Sequence, residues 1–279
     1  MPKLPPQERV GGFDEIELGY SIEQAMEEAK RCLSCGGCSE CLQCVEACEA
    51  KAINHEMDKE EFVTISVGAI IINLGFDLFD PHLKPDLGFG LYPNVISSLQ
   101  LERLLSASGP TAGKIRRPSD SKPPRSLAFI QCVGSRDFER DYCSAVCCMY
   151  ATKEAILAKE YLGEGLKCDM FYIDMRAFSK GFEEYYNRAK SLGVNYIRCR
   201  IPTITEVPET KNLRIEYLAE DEKKLCREYE LVVLSAGLVP PKNASEIAEN
   251  FGLELNKYGF CLTHLFTPVN SQRGGIFVA

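Results

Sequence analysis

Apolar positions change their spacing along the chain, and each change marks a part of it. Ile22, Ala25, Met26 and Ala29 recur at helical spacing, and Ser21 with Gln24 forms a capping box ahead of them. Residues 1–20 read as an extended arm, and a charged turn covers residues 57–61. The β-branched run from Val63 to Leu74 predicts a buried strand closed by Gly75. Residues 77–92, rich in Pro, Gly and Asp, predict loop, and residues 96–106 are amphipathic enough for one helix. The polar, Pro-rich stretch 109–125 marks a domain boundary.

Beyond it the pattern becomes regular. Strands are predicted at 127–132, 168–174 and 195–199, with helices at 145–162 and 181–192 between them. Further strands follow at 213–217 and 231–235, separated by a charged hairpin over 219–228. Alternating strands and helices predict an α/β fold with a parallel, doubly wound sheet, and the trailing strands a small appended β-meander. Residues 241–279 add a helix at 244–251 and a final apolar strand. Such a strand, with no cap or turn after it, implies that the natural chain continues.

Composition narrows the function. A net charge of -8 opposes nucleic-acid binding, which needs a basic face. No apolar run is long enough to span a bilayer, and residues 1–12 lack the apolar core of a signal peptide. A cytoplasmic location is expected. The 14 cysteines then point to metal or redox chemistry rather than disulfides. Ten fall in two groups, and Cys168, Cys199, Cys226 and Cys261 are scattered as small buried hydrophobes.

The first group holds Cys32, Cys35, Cys38, Cys41, Cys44 and Cys48. Its last four fit C-x2-C-x2-C-x3-C, the spacing of bacterial ferredoxin loops. Two-residue spacers let a tight loop present successive thiolates to separate irons, with the last cysteine opening a helix. Glu49 stands where ferredoxins commonly place a proline. Cys32 and Cys35 extend the spacing backwards, either toward another cluster or as part of an alternative quartet, Cys32, Cys35, Cys38 and Cys41. Six cysteines within 17 residues are too dense for a zinc knuckle.

In the second group Cys132 ends a strand where a dinucleotide fold would begin its G-x-G-x-x-G turn. Cys143, Cys147 and Cys148 lead into the next helix, so all four thiols can meet in space. Spacing alone leaves buried structural cysteines as an equal reading. Arg136 and Asp137 read either as stabilisers of this loop or of a partner contact, or as a plain loop ion pair. His55, His82 and His264 are isolated and read as surface or satisfied histidines.

At these residues the chain resembles the A-type iron-sulfur flavoprotein subunits of heterodisulfide reductase. The motifs are Val67 to Ile71 running into Gly75-Phe76-Asp77 and Phe79-Asp80-Pro81, Phe129 to Asp137, Tyr142-Cys143-Ser144 with Cys147 to Tyr150, Arg176-Ala177-Phe178 with Lys180 to Glu184, Leu238-Val239-Pro240, and Gly275 to Ala279. The resemblance covers about residues 60–279. It implies a thioredoxin-reductase-like scaffold, FAD, and a [4Fe–4S] cluster on Cys132, Cys143, Cys147 and Cys148. Residues 1–50 are similar instead to the cysteine-bearing segment of glutamate-synthase small-subunit-like proteins.

Three domains follow: a ferredoxin-like module at 1–60, a partial FAD-type domain with linker at 61–124 and 241–279, and a Rossmann-like domain at 125–240. No G-x-G-x-x-G occurs in the chain. Of the flavin domain only later pieces survive, so Gly75, Phe76 and Gly237 are candidate cofactor contacts, and FAD is not expected to bind this chain alone. The expected function is an electron-transfer subunit with two [4Fe–4S] clusters, a third being left to Cys32 and Cys35. Its expected partners are other redox subunits and the missing flavin-binding half. An NAD(P)H-dependent glutamate-synthase-like flavin reductase and a zinc-binding interaction module are the alternatives.

Overall fold

Short apolar segments that alternate between two buried faces build the main sheet. The computed structural model describes residues 2–12, 14–30, 42–54, 63–163, 165–218 and 223–279. Its contacts divide into two units, Met1–Asp58 and Lys59–Ala279.

The first unit contains α1 (Pro6–Arg9), α2 (Ile22–Lys30) and α3 (Gln43–Ala47). The arm expected over 1–20 includes α1 and folds back on itself, with Lys3 bridged to Glu17 by backbone pairing and a 3.0 Å ion pair. The capping box forms as expected: Ser21 Oγ accepts from Gln24 N–H at 3.2 Å, and Gln24 Oε1 from Ser21 N–H at 3.0 Å.

The second unit begins with β1 (Ile70–Ile72), β2 (Asp77–Leu78), two 3₁₀ turns (Pro81–Leu83 and Pro85–Leu87), β3 (Val95–Ser97) and α4 (Ser98–Leu105). Then come β4 (Ser126–Val133), α5 (Cys147–Leu162), β5 (Lys167–Tyr172), α6 (Phe182–Ser191) and β6 (Val194–Arg198). A meander of β7 (Ile204–Glu206), β8 (Leu213–Leu218) and β9 (Lys224–Tyr229) precedes β10 (Leu231–Ala236) and β11 (Leu238–Val239). The unit closes with α7 (Ala244–Phe251) and β12 (Ile276–Val278).

The main sheet has the order β3-β10-β4-β5-β6, and every neighbour pair is parallel. This is the α/β sheet expected from the alternating elements. Leu127 and Phe129 point to one face, among Met170, Val233 and the α5 residues Ala151 and Ala155. Ala128 and Ile130 point to the other, among Phe171, Leu234 and the meander residues Leu213 and Ile215. The small side chains Ala151, Ala155 and Ala158 are fully buried and bring α5 close to the sheet. Gly163, at φ +82°, ends that helix in a conformation glycine adopts without strain.

Three expectations change. The strand expected over 63–74 is confined to β1, which pairs with β12, while Val63, Ile65 and Val67 are 68%, 72% and 57% exposed. Their branched side chains favour extended backbone, but among the described residues no ladder partner faces them. The helix expected over 96–106 starts two residues late because Val95–Ser97 pairs with β10, and Ser97 caps it through Gln100. The loop expected over 77–92 holds β2 and both 3₁₀ turns, each carrying proline in its first turn. Among the described residues no helix is long and apolar enough to cross a membrane.

Candidate metal centre

β4 ends in a bulge. Ile130 pairs with Leu234 and Val133 with Ala236, so Ser235 on β10 stands opposite both Gln131 and Cys132. The chain then turns through residues with positive φ: Cys132 at +61°, Gly134 at +74° and Arg136 at +57°. A left-handed conformation costs a non-glycine residue about 1–2 kcal/mol. Several bonds hold the turn against that cost. Arg136 N–H donates to Tyr142 O at 3.0 Å, Asp137 N–H to Arg140 O at 3.0 Å, and Tyr142 Oη–H to Leu238 O at 2.7 Å. Arg136 also pairs with Asp174 at 2.7 Å and Asp137 with Lys84 at 2.9 Å, so the two do not pair with each other.

Ala145, at φ +62°, turns the chain into α5, whose first two residues are Cys147 and Cys148. Cys147 Sγ lies 3.6 Å from Ala236 O at the end of β10, and Cys148 Sγ lies 3.7 Å from Asp174 O beyond β5. Cys143 Sγ accepts from Ala145 N–H at 3.4 Å. The thiols therefore sit over the carboxyl ends of β10, β4 and β5, the edge where open α/β sheets bind ligands.

Each of the four thiols is within electrostatic reach of the other three. Burial pushes Cys132 up to about 11, the Cys148 and Cys143 thiols add to that rise, and Arg136 and Arg200 oppose it. Burial pushes Cys147 up to about 12; the Tyr150 hydroxyl opposes the rise, and the other three thiols add to it. Cys148 is raised by burial and by Cys143, against Arg176 and Arg136. Such a set loses its protons together only when added positive charge compensates the thiolates.

The surroundings fit a group rich in sulfur. Both amide atoms of Gln131, the hydroxyl of Ser235 and Arg136 Nη1 are buried without a hydrogen-bond partner. Three of these atoms belong to Gln131 and Ser235 at the bulge beside Cys132, and Arg136 is close enough to feel the charge of Cys132 and Cys143. Among the described residues no three His, Cys, Asp or Glu side chains are grouped as they stand around one metal ion. A cavity of about 150 Å³ adjoins Cys132, lined also by Lys84, Gln131, Asp137 and Arg200.

No family model matches the chain. Curated relatives do. The chain is 48% identical over 239 residues to a protein of Methanopyrus kandleri, the second of its A-type iron-sulfur subunits of CoB–CoM heterodisulfide reductase. It is 45% identical over 271 residues to the A-type iron-sulfur subunit of CoB–CoM heterodisulfide reductase from Methanocaldococcus jannaschii. These matches take in 83% and 95% of this chain. The chain is a relative of the A-type heterodisulfide reductase subunits.

It spans 36% and 39% of the length of those two heterodisulfide reductase subunits. The T. acidophilum thioredoxin reductase matches in structure over 76% of this chain and 56% of its own, at 14% identity and a TM-score of 0.45.

Of the first cysteine group only Cys44 and Cys48 lie within the described residues; Cys32, Cys35, Cys38 and Cys41 lie outside them. Cys48 does not open a helix as expected but closes α3, and its Sγ accepts from Ala52 N–H at 3.4 Å. Gly75, at φ +67°, and the exposed Phe76 occupy the turn between β1 and β2. Gly237 lies between β10 and β11, where a Cβ would come within 2.8 Å of Ser144 Oγ. Of the scattered cysteines Cys168 is buried as expected, while Cys226 is exposed. His82 is a satisfied surface histidine as expected: its ring lies 2.7 Å from Asp80 Oδ1 and edge-on to Phe89. His264 is exposed, and His55 lies outside the described residues.

Sequence reasoning missed Gln131, Ser235, Arg176 and Arg200. The one available signal was a polar Gln131 just before the end of an otherwise apolar strand.

Proposed function

We propose that this chain is an electron-transfer part of an oxidoreductase of the heterodisulfide reductase A type. The carrying observation is that the four thiols of the second group lie within electrostatic reach of one another at the strand ends where a nucleotide fold would place its glycine turn. The residues assigned to one [4Fe–4S] cluster are Cys132, Cys143, Cys147 and Cys148. A second is assigned to Cys38, Cys41, Cys44 and Cys48, with Cys32 and Cys35 left for a third.

When bound, such a cluster supplies one-electron chemistry. The chain's own residues do the rest. Arg136, Arg176 and Arg200 offset thiolate charge, the buried start of α5 keeps water from Cys147 and Cys148, and the bulge fixes Cys132. The names of the relatives, iron-sulfur subunits, favour this reading over a glutamate-synthase-like flavin reductase or a zinc module.

The missing G-x-G-x-x-G assigns the ADP half of FAD to another polypeptide segment or to a partner protein. Gly75, Phe76 and Gly237 are then contacts on this chain's side of that flavin, and the assembly works in the cytoplasm.

Anaerobic reconstitution with iron and sulfide tests the proposal. About eight irons and eight sulfides per chain are expected from two four-iron clusters. Cys147→Ser should halve both counts. Zinc without iron or acid-labile sulfide overturns the assignment, and twelve irons would place a third cluster on Cys32 and Cys35.

A further inference from the structure

Gln131 and Ser235 are the feature that the thiol set does not explain. Gln131 is 7% exposed and Ser235 fully buried, and the Gln131 Nε2 and Oε1 and Ser235 Oγ atoms have no partner. Leaving one such buried group unpaired forfeits the hydrogen bonds it makes in water. Here three polar atoms lie together at one bulge, on neighbouring strands.

Strand alternation gives their direction. Leu127 and Phe129 of β4 and Leu231 and Val233 of β10 all pack on the face covered by α5. Ser235 continues that set two residues further along β10, and Gln131, which follows the oppositely facing Ile130 and opens the bulge, stands across from it. The first turn of α5 above them carries Cys147 and Cys148. The amide and the hydroxyl thus lie on the helix side of the sheet, at the end where the thiols converge.

Resting on the cluster reading above, we infer that Gln131 and Ser235 donate hydrogen bonds to sulfur of the group held by Cys132, Cys143, Cys147 and Cys148, and so raise its reduction potential. The amide nitrogen has two N–H donors and the hydroxyl one. Reduction adds one electron and one negative charge; no bond forms or breaks, and no proton moves. Donors aimed at sulfur favour the more negative state, and hydrogen bonds to sulfur are an established control of cluster potential. Both residues are positioning residues: they act on the potential through sulfur.

The test uses the full chain, reconstituted anaerobically, as Gln131→Leu and Ser235→Ala. Iron is counted first, and the potential is then read by EPR during titration with dithionite, following the signal that Cys147→Ser abolishes. Each variant should keep its iron and shift the potential downward by a 3- to 10-fold change in the reduction equilibrium, the upper end being about 59 mV for one electron. Ser235→Ala removes a single oxygen, so it decides the matter if Gln131→Leu loses its iron. Retained iron with an unchanged potential in Ser235→Ala and in any iron-bearing Gln131→Leu overturns the inference. If wild-type protein binds no iron that depends on Cys147, the cluster assignment itself fails, and the iron count shows this before any potential is measured.

Discussion

Gly134 lies against the ring of Phe79, so close that a Cβ at Gly134 would stand 2.0 Å from Phe79 Cγ. Phe79 is 2% exposed and packs in the core beneath the thiol turn. Gly134→Ala therefore meets both a clash and a left-handed φ of +74°. The two effects together should cost about 3 kcal/mol. A urea titration should show the loss as a lower midpoint, and Phe79→Leu in the same chain should recover part of it.

Glu154 sits on α5 at 2% exposure, and one of its carboxylate oxygens has no partner. Burial, helped by Glu102 and opposed by Lys153, pushes its carboxyl up to about 9. It is therefore neutral at pH 7 in the folded chain and charged in the unfolded one. Folding stability is fully present below the ordinary glutamate value and declines as pH rises toward 9. Glu154→Gln should remove that decline. The difference between variant and wild type, read by urea unfolding at pH 5 and pH 8, should grow by more than about 1 kcal/mol.

Glu230 behaves in the opposite sense. Burial works against its charge, but Arg125 outweighs burial through a backbone N–H at 2.7 Å and guanidinium contacts at 3.0 and 2.7 Å, holding the carboxyl below its usual range. Its contribution is present above the unfolded glutamate value and is lost as pH falls. Because the Arg125 side chain is 87% exposed, solvent screens the pair and keeps its contribution small. Glu230→Gln should flatten the acid limb of the stability curve between about pH 5 and pH 3 and leave the alkaline limb unchanged.

Ser144 precedes the left-handed Ala145, and its Oγ accepts from Leu238 N–H at 2.8 Å. Ser144→Ala leaves that part-buried N–H unpaired, at a cost of about 1 kcal/mol. The Cys143 segment should then open sooner than the sheet does. Hydrogen exchange is expected to accelerate at Leu238 and across 142–146, with β4 and β5 still protected.

How much of this was legible in advance follows from what each period encodes. β4, α5, β5, α6 and β6 were readable because both their faces or one full stripe are apolar. That Cys132, Cys147 and Cys148 lie at one edge followed from that order alone, since strand ends and helix starts coincide in such a sheet. The β4 bulge was not legible: whether two residues face one depends on the partner strand, so Gln131 and Ser235 gave no joint signal. The branched run at Val63, Ile65 and Val67 misled because β propensity reports a fit to a pleated surface, and among the described residues no such surface meets it. Cys48 misled because the ferredoxin spacing carries ligand order but not where a helix begins.

The β1–β12 pairing has a consequence for how the protein is made. Ile72 meets Val278 in register, while the parallel five-stranded sheet lies wholly between them in sequence. At about 5–20 residues per second, roughly 200 residues and some 10–40 s of synthesis separate the two strands. β1 leaves the ribosome well before β12 and cannot make this pairing until after the central sheet has been synthesised. Chaperone binding during translation should concentrate on that waiting strand.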